Sequence, residues 1–315
     1  MQKIIFDTDP GIDDAMALLF AELSPAIDLL GITTVRGNAD IEITTRNALY
    51  LTERFDMAAT VYRGAGQALV VPNTPVPDFV HGEDGLGNIN PEPPKREASS
   101  LDAAQFIVDQ LRRYPSEVTL VAIGRLTNLA HALELAPDVA GLAKAVVVMG
   151  GALGRDGHGG NVTPCAEANI YGDPHAADIV FGAAWPVTMV GLDVTMQVMM
   201  DEARMQRIRD GGEEEGRFVY DVSRFYADFY RNTGMTTGFP VHDSSALAFV
   251  VEPELFTKQT GPVRVVCDGI AIGQTIQAVG GDRPFEHWQG RPAQSVCVGV
   301  DAEAVLALYE RTLCS

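Results

Sequence analysis

The segment Asp7-Thr8-Asp9-Pro10-Gly11-Ile12-Asp13-Asp14 places four carboxylates in eight residues, where an apolar strand pattern gives way to a helical one. A single aspartate there ordinarily caps a helix by accepting a free backbone N–H. Four cannot all be caps. Carboxylates crowded into one cleft repel one another and raise each other's pKa unless a cation neutralises them. A hard divalent cation does so. Calcium accepts about 6–8 oxygen ligands in irregular geometry, whereas magnesium demands stricter octahedral order. Pro10 and Gly11 would turn the chain so that Asp9 and Asp14 face one point. The spacing is not that of an EF-hand loop, whose closing glutamate is missing.

An apolar strand followed by Asp-x-Asp also resembles the nucleophile loop of haloacid-dehalogenase-type phosphatases. That pattern wants Thr or Val two residues after the second aspartate, and Gly11 stands there. Other polar residues have plain readings when taken singly. Asn38 after Gly37 fits a turn, Glu167 and Asn169 fit a polar surface loop, and Asp243 fits the N-cap of a helix over 244–250. The aromatics Tyr226, Phe229 and Tyr230 fit either helix core or a mobile lid that stacks on a planar ligand.

The elements that must position these residues alternate. Strands are expected at 4–6, 27–35, 118–123, 145–149 and 187–192. Helices are expected at 13–23, 41–55, 127–135, 173–181 and 301–313. Such alternation implies an α/β fold, a single domain over 1–315 with a mostly parallel central sheet flanked by helices. Ligands bind at the carboxyl ends of strands in such sheets. Two stretches break the rhythm and read as excursion loops, about 64–99 and 210–242.

Bulk properties narrow the partners. Apolar residues make up 46% of the 315, enough for a sizeable core, and the formal charge is −19. A chain this acidic repels phosphate backbones and anionic lipid, so neither nucleic acid nor membrane is an expected partner. The four cysteines, Cys165, Cys267, Cys297 and Cys314, form no CxxC pair and no disulfide framework. No apolar run approaches the roughly 18 residues of a membrane span, and no secretory signal is visible. A cytoplasmic location is expected.

The sequence resembles the inosine-uridine nucleoside hydrolase family over nearly its whole length. The resemblance rests on Asp7–Ala15 and, in order, on Thr33-Thr34-Val35-Arg36-Gly37-Asn38, His81–Gly87, Gly124-Arg125-Leu126-Thr127-Asn128, Met149-Gly150-Gly151, Asn161, Ala166-Glu167-Ala168-Asn169 and Val241-His242-Asp243. It implies a nucleoside-hydrolase-type fold and calcium-dependent hydrolysis of ribonucleosides to ribose and free base. Asp9, Asp14 and Asp243 would ligate calcium by their carboxylates and Thr127 by its backbone carbonyl. Asp13 would be the general base on a calcium-bound water. Asn38, Asn161, Glu167, Asn169 and the Met149 region would hold the ribose, with Asp14 and the ion gripping its 2′- and 3′-hydroxyls. His242, aided by His81, would face the base and help it leave, which fits a pyrimidine-accepting or broad inosine-uridine enzyme. A homodimer or homotetramer is implied. A non-catalytic protein that binds calcium and ribose would need the ligands but neither Asp13 nor His242; both are present.

Overall fold

The computed structural model describes residues 1–280 and 285–314. Twelve strands are described: β1 (Gln2–Thr8), β2 (Ile27–Thr34), β3 (Val61–Arg63), β4 (Val118–Ala122), β5 (Ala145–Met149), β6 (Val187–Val190), β7 (Met199–Met200), β8 (Phe239–Pro240), β9 (Phe256–Gly261), β10 (Val263–Val265), β11 (Thr275–Gln277) and β12 (Gln294–Val300). Eight form one sheet in the order β3-β2-β1-β4-β5-β6-β12-β9. Every pairing in it is parallel except β12 with β9. This is the mostly parallel α/β sheet that the alternation predicts.

Parallel strands covered on both faces need continuous apolar runs. Ile4-Ile5-Phe6 and Val146-Val147-Val148 supply them and are buried. The two faces carry separate cores. One gathers Phe6, Leu19, Phe20, Leu247 and Tyr309, and the other Ile5, Phe106, Leu129, Phe181 and Trp185. The helix Ile12–Leu23 is apolar nearly all round because it packs against three helices, Glu214–Asn232, Asp243–Val251 and Ala302–Leu313. The chain runs outward from β1 to β2 and β3 on one side, and from β4 to β5 and β6 on the other. The strand order therefore reverses between β1 and β4, the switch point where open α/β sheets form a crevice. The four-aspartate segment leaves β1 there.

The structure corrects three local expectations. The stretch 210–242 is mostly helical: Glu202–Gly211 and the 19-residue Glu214–Asn232 flank a break at 212–213, and the loop is confined to 233–238 and 241–242 around β8. Phe218, Val219, Val222 and Tyr226 bury one stripe of the longer helix, which keeps it packed against the body. Second, Asp243 is not the cap of the helix that follows. The helix is Asp243–Val251, and His242 occupies the cap position. Third, the strand expected to reach Leu192 ends at Val190, and Leu192–Thr195 forms a short helix instead. The excursion 64–99 is loop apart from a short helix, Asp78–His81, and returns to the sheet where Ser99 bridges Tyr62.

Candidate active site

Asp14 opens the site. It sits in the first turn of the helix after β1, and its carboxylate accepts four hydrogen bonds: Thr8 Oγ1 at 2.6 Å, the Asp9 N–H at 3.1 Å, the Gly11 N–H at 3.0 Å and Asn38 Nδ2 at 2.8 Å. Pro10 and Gly11 thus fold the loop back onto Asp14. Asp9 accepts the Asn38 N–H at 2.7 Å, which ties the loop after β2 to the loop after β1. Gly37 and Gly124 press against its two oxygens, and a β-carbon on either would lie 1.8 Å and 2.4 Å from them. Those glycines are a requirement for space around Asp9.

Asp13, Asp14 and Asp243 each present an oxygen within 4.8 Å of the others. The cluster joins the first helix to Asp243, 229 positions on by their residue numbers, across the packed pair of helices. Burial pushes the Asp13 carboxyl up to about 6, while hydrogen bonds, one from Tyr226, pull the other way. Burial raises Asp14 as well, with the charge of Asp13 adding to it, and raises Asp9 and Asp243 well above the usual carboxylate range. Asp9 Oδ1 and Asp13 Oδ1 are buried without a hydrogen-bond partner. An all-oxygen set with unpartnered lone pairs and mutual repulsion fits a hard cation. The aspartate cluster could bind a metal.

Above the cluster lies a cleft of about 300 Å³. Of the twelve residues expected at the site, nine line it: Asp13, Asn38, His81, Met149, Asn161, Glu167, Asn169, His242 and Asp243. Asp14 stands behind Asn38, and Asp9 lines the adjoining cavity. Thr127 is buried, and its hydroxyl donates to Asp173 at 2.8 Å, so its side chain is not brought to the cluster. Ile123, just after β4, also lines the cleft.

Glu167 and Asn169 are not the surface residues that their polar loop implies. Glu167 is buried and caps the helix Ala168–Gly172, accepting from the N–H groups of Asn169 and Ile170 and from that of Gly151. Burial raises its carboxyl above the ordinary range. Asn169 Nδ2 donates to the carbonyls of Ile123 and Met149, the ends of β4 and β5. Asn161 Oδ1 accepts the Ala168 N–H at 3.0 Å.

The opposite wall is aromatic, and sequence reasoning left it open. Tyr226 donates to Asp13 Oδ2 at 3.2 Å, and its hydroxyl lies 3.4 Å from that of Tyr230. Tyr230 meets His242 Nε2 at 3.1 Å, and His242 Nδ1 meets Thr195 Oγ1 at 2.7 Å. One hydrogen-bonded chain therefore runs from Asp13 to Thr195. The i, i+4 spacing of Tyr226 and Tyr230 was the available signal. Phe229 packs on Phe79 at the rim, with ring centroids 5.9 Å apart. Burial holds both His81 and His242 down to about 4, so both rings are neutral at pH 7. His81 Nδ1 accepts the Ile12 N–H at 3.2 Å. Trp185 is buried and donates to the Val180 carbonyl, and neither it nor Trp288 lines the cleft.

A parallel α/β sheet with an aspartate cluster that could bind a metal at its switch point, beneath a cleft with one polar and one aromatic wall, has the features of a small-molecule enzyme site. The profile described as inosine-uridine preferring nucleoside hydrolase matches residues 4–307. Uridine nucleosidase 1 of Arabidopsis thaliana is 40% identical over 99% of this chain and 93% of its own length. Two solved structures are also similar. A plant nucleoside hydrolase has a TM-score of 0.94 at 38% identity, covering 100% of this chain and 99% of that one. A purine-preferring ribonucleoside hydrolase from Gardnerella vaginalis has a TM-score of 0.91 at 34% identity, covering 99% and 98%. The chain belongs to the inosine-uridine preferring nucleoside hydrolase family, enzymes that hydrolyse the N-glycosyl bond of ribonucleosides.

Proposed function

We propose that this chain hydrolyses uridine and related ribonucleosides to ribose and free base in a calcium-dependent reaction. One observation carries the reading: the Asp13–Asp14–Asp243 cluster lies at the floor of a cleft whose other wall is the Tyr226–Tyr230–His242 chain. Asp9, Asp14, Asp243 and the Thr127 carbonyl would hold calcium. When bound, the cation supplies positive charge that makes a nearby water more acidic.

Asp13 accepts the proton of the attacking water as general base. Asn38, Asn161, Glu167, Asn169 and Met149 hold the ribose, and Asp14 takes part in gripping its vicinal hydroxyls. Their fixed hydrogen bonds orient them in advance, and their oxygens favour the positive charge that grows on the sugar as the bond breaks. His242 and His81 face the base. Burial works against an imidazolium at pH 7, and the one N–H of a neutral His242 is held within the Tyr230–Thr195 chain, so His242 would aid departure by exchanging its bond to Tyr230 for one to the base. This polar aromatic wall, free of tryptophan, favours a pyrimidine-accepting or broad inosine-uridine specificity.

A second reading is favoured by Asp9 Oδ1, which is as buried and unpartnered as Asp13 Oδ1. There Asp9 is the base and Asp13 joins the ligands, as its place in the cluster allows. Asparagine variants separate the two. A base variant keeps calcium affinity and loses about 10²–10⁴-fold in rate, whereas a ligand variant loses calcium affinity.

The decisive assay measures ribose release from uridine, cytidine, inosine, adenosine and 2′-deoxyuridine, with calcium and after chelation, beside Asp13→Ala. Release that chelation abolishes supports the proposal and ranks the bases. No release from any nucleoside, in protein shown to hold calcium, would leave a binding protein. A homodimer or homotetramer in the cytoplasm completes the proposal, and light scattering reads the assembly. All four cysteines are free. No helix among the described residues is long and apolar enough to cross a membrane.

A further inference from the structure

Beside the cleft lies a second cavity of about 360 Å³. Asn38 and Asn169 form part of both walls, so the cavity opens from the side that the proposal above assigns to the ribose. Its own wall holds Asp9, Thr74, Tyr171 and Arg125. Arg125 follows β4 and is 4% exposed. Its Nη2 donates to Thr74 Oγ1 at 2.9 Å, and its Nη1 is buried with no partner at all. No carboxylate oxygen of a described residue lies within 4.0 Å of its guanidinium nitrogens.

Arg36 approaches the same threonine from the loop after β2. It is 8% exposed, donates to the Thr74 carbonyl at 3.0 Å and pairs with Asp40 at 2.8 Å, and its Nη1 is likewise buried without a partner. Asp9 is the strongest charge acting on Arg125 and attracts it, Arg36 comes next and repels it, and Asp173 and Asp40 attract it more weakly. Buried charge in native proteins is paired or binds an ion. With a cation held at Asp9, that carboxylate is no longer counter-charge for Arg125. Each guanidinium then sends its Nη2 to Thr74 and keeps a buried Nη1 without a partner, and Arg125 lines the open cavity itself.

We propose that Arg125, backed by Arg36 and aimed by Thr74, forms an oxyanion subsite at the sugar end of the cleft, of the size and charge for a phosphate group. Planar guanidinium forks suit phosphate oxygens. The phosphate comes either esterified to the ribose of a nucleotide or as free inorganic phosphate. The esterified case rests on the ribose lying at the Asn38–Asn169 side.

The test uses the full chain in submillimolar calcium, phosphate-free buffer and constant ionic strength. Inorganic phosphate is titrated by calorimetry and by thermal shift. Uridine 5′-monophosphate and uridine 3′-monophosphate are assayed as inhibitors of uridine hydrolysis against an equimolar uridine and phosphate control. The expected result is saturable phosphate binding by the wild type that weakens about tenfold or more in Arg125→Met, the loss of a charge-assisted hydrogen bond, and severalfold in Thr74→Val, which leaves the charge but not its aim. A monophosphate that binds about tenfold tighter than phosphate identifies the esterified source. Equal affinity identifies the free anion. Absence of phosphate binding by the wild type, or binding unchanged in Arg125→Met, overturns the subsite. Should Arg125→Met fail to fold, the wild-type titration and Thr74→Val decide. Uridine turnover in the same samples reads the hydrolase proposal separately, because phosphate binding does not depend on it.

Discussion

At the residue scale, the Tyr226 hydroxyl is the most informative single group. It donates to Asp13, and a hydrogen bond to the charged form holds a carboxyl pKa down. Tyr226→Phe removes that bond, so the Asp13 pKa should rise and the acidic limb of the pH–rate profile should move to higher pH. A lost bond worth about 1–2 kcal/mol moves that pKa by about one unit, from about 6 toward 7, so the rate at pH 7 should fall about twofold and more steeply at lower pH. An acidic limb that stays in place would take Asp13 out of the role of base. The ribose hydroxyls make the second prediction at this scale. A site built to grip two vicinal hydroxyls leaves polar groups unpaired when one is missing, a loss worth factors of about 10⁴ or more. Equal turnover of uridine and 2′-deoxyuridine would sink the proposed part of Asp14. The aspartate motif and the residues after it were legible in sequence because each polar type recurs in an unusual local pattern. Glu167 was legible only as a loop residue: two of its backbone donors, Asn169 and Ile170, lie in a short helix turn and the third, Gly151, follows β5, a meeting that local composition does not reveal.

At the element scale, the helices around Ile12–Leu23 decide where Asp243 and the tyrosines stand. The terminal helix Ala302–Leu313 is fastened to Glu202–Gly211 by Glu310, which accepts from Arg207 at 2.6 Å and Arg204 at 2.9 Å. Those bonds, first that of Arg207, hold the Glu310 carboxyl below its usual range. A depressed folded pKa gives stability that is present above the unfolded value, about 4.3, and is lost as pH falls through the folded value. Glu310 is 23% exposed at its side chain, so solvent screening keeps the gain near 1 kcal/mol. Glu310→Gln should lower stability by about that much at pH 7 in denaturant titrations, and the difference should vanish well below pH 4. A difference independent of pH would point to packing instead. The helix Glu214–Asn232 shows why a sequence reading stops short. Its Gly211-Gly212 and Glu213-Glu214-Glu215 opening looks like a loop, yet its buried stripe only gains meaning once the first helix is beside it.

At the scale of the whole molecule, the cluster ties the N-terminal loop to a helix near the far end of the chain. Without a cation, Asp9, Asp13, Asp14 and Asp243 all have raised carboxyl pKa values, Asp13 at about 6, and Asp7 beneath them is at about 7. A raised carboxyl means that the unfolded chain ionises first, so the metal-free fold loses stability as pH rises from about 4 through 7. Thermal unfolding of chelated protein should therefore show Tm falling over this window. Calcium at a hundredfold excess over its Kd should restore about 2.7 kcal/mol at pH 7. Identical Tm values with calcium and with chelator at pH 7 would remove the cation from the cluster.

The sequence by itself missed the helix Ala103–Arg113 and the strand Val61–Arg63, but it determined the parallel α/β class, most of the strands and helices around the first aspartate motif and the central sheet, and most of the polar residues that line the cleft. These depend on local periodicity and on short motifs, which neighbours in the chain specify. The tertiary structure alone decided the rest. It brought Asp243 to Asp13, drew Tyr226 and Tyr230 into a hydrogen-bonded chain with His242, buried Glu167 as a cap, turned Thr127's side chain towards Asp173, and left two arginines without full partners beside the cleft. Several of those facts are contacts between residues distant in sequence, and all depend on burial that the packed fold creates. No local pattern carries that information.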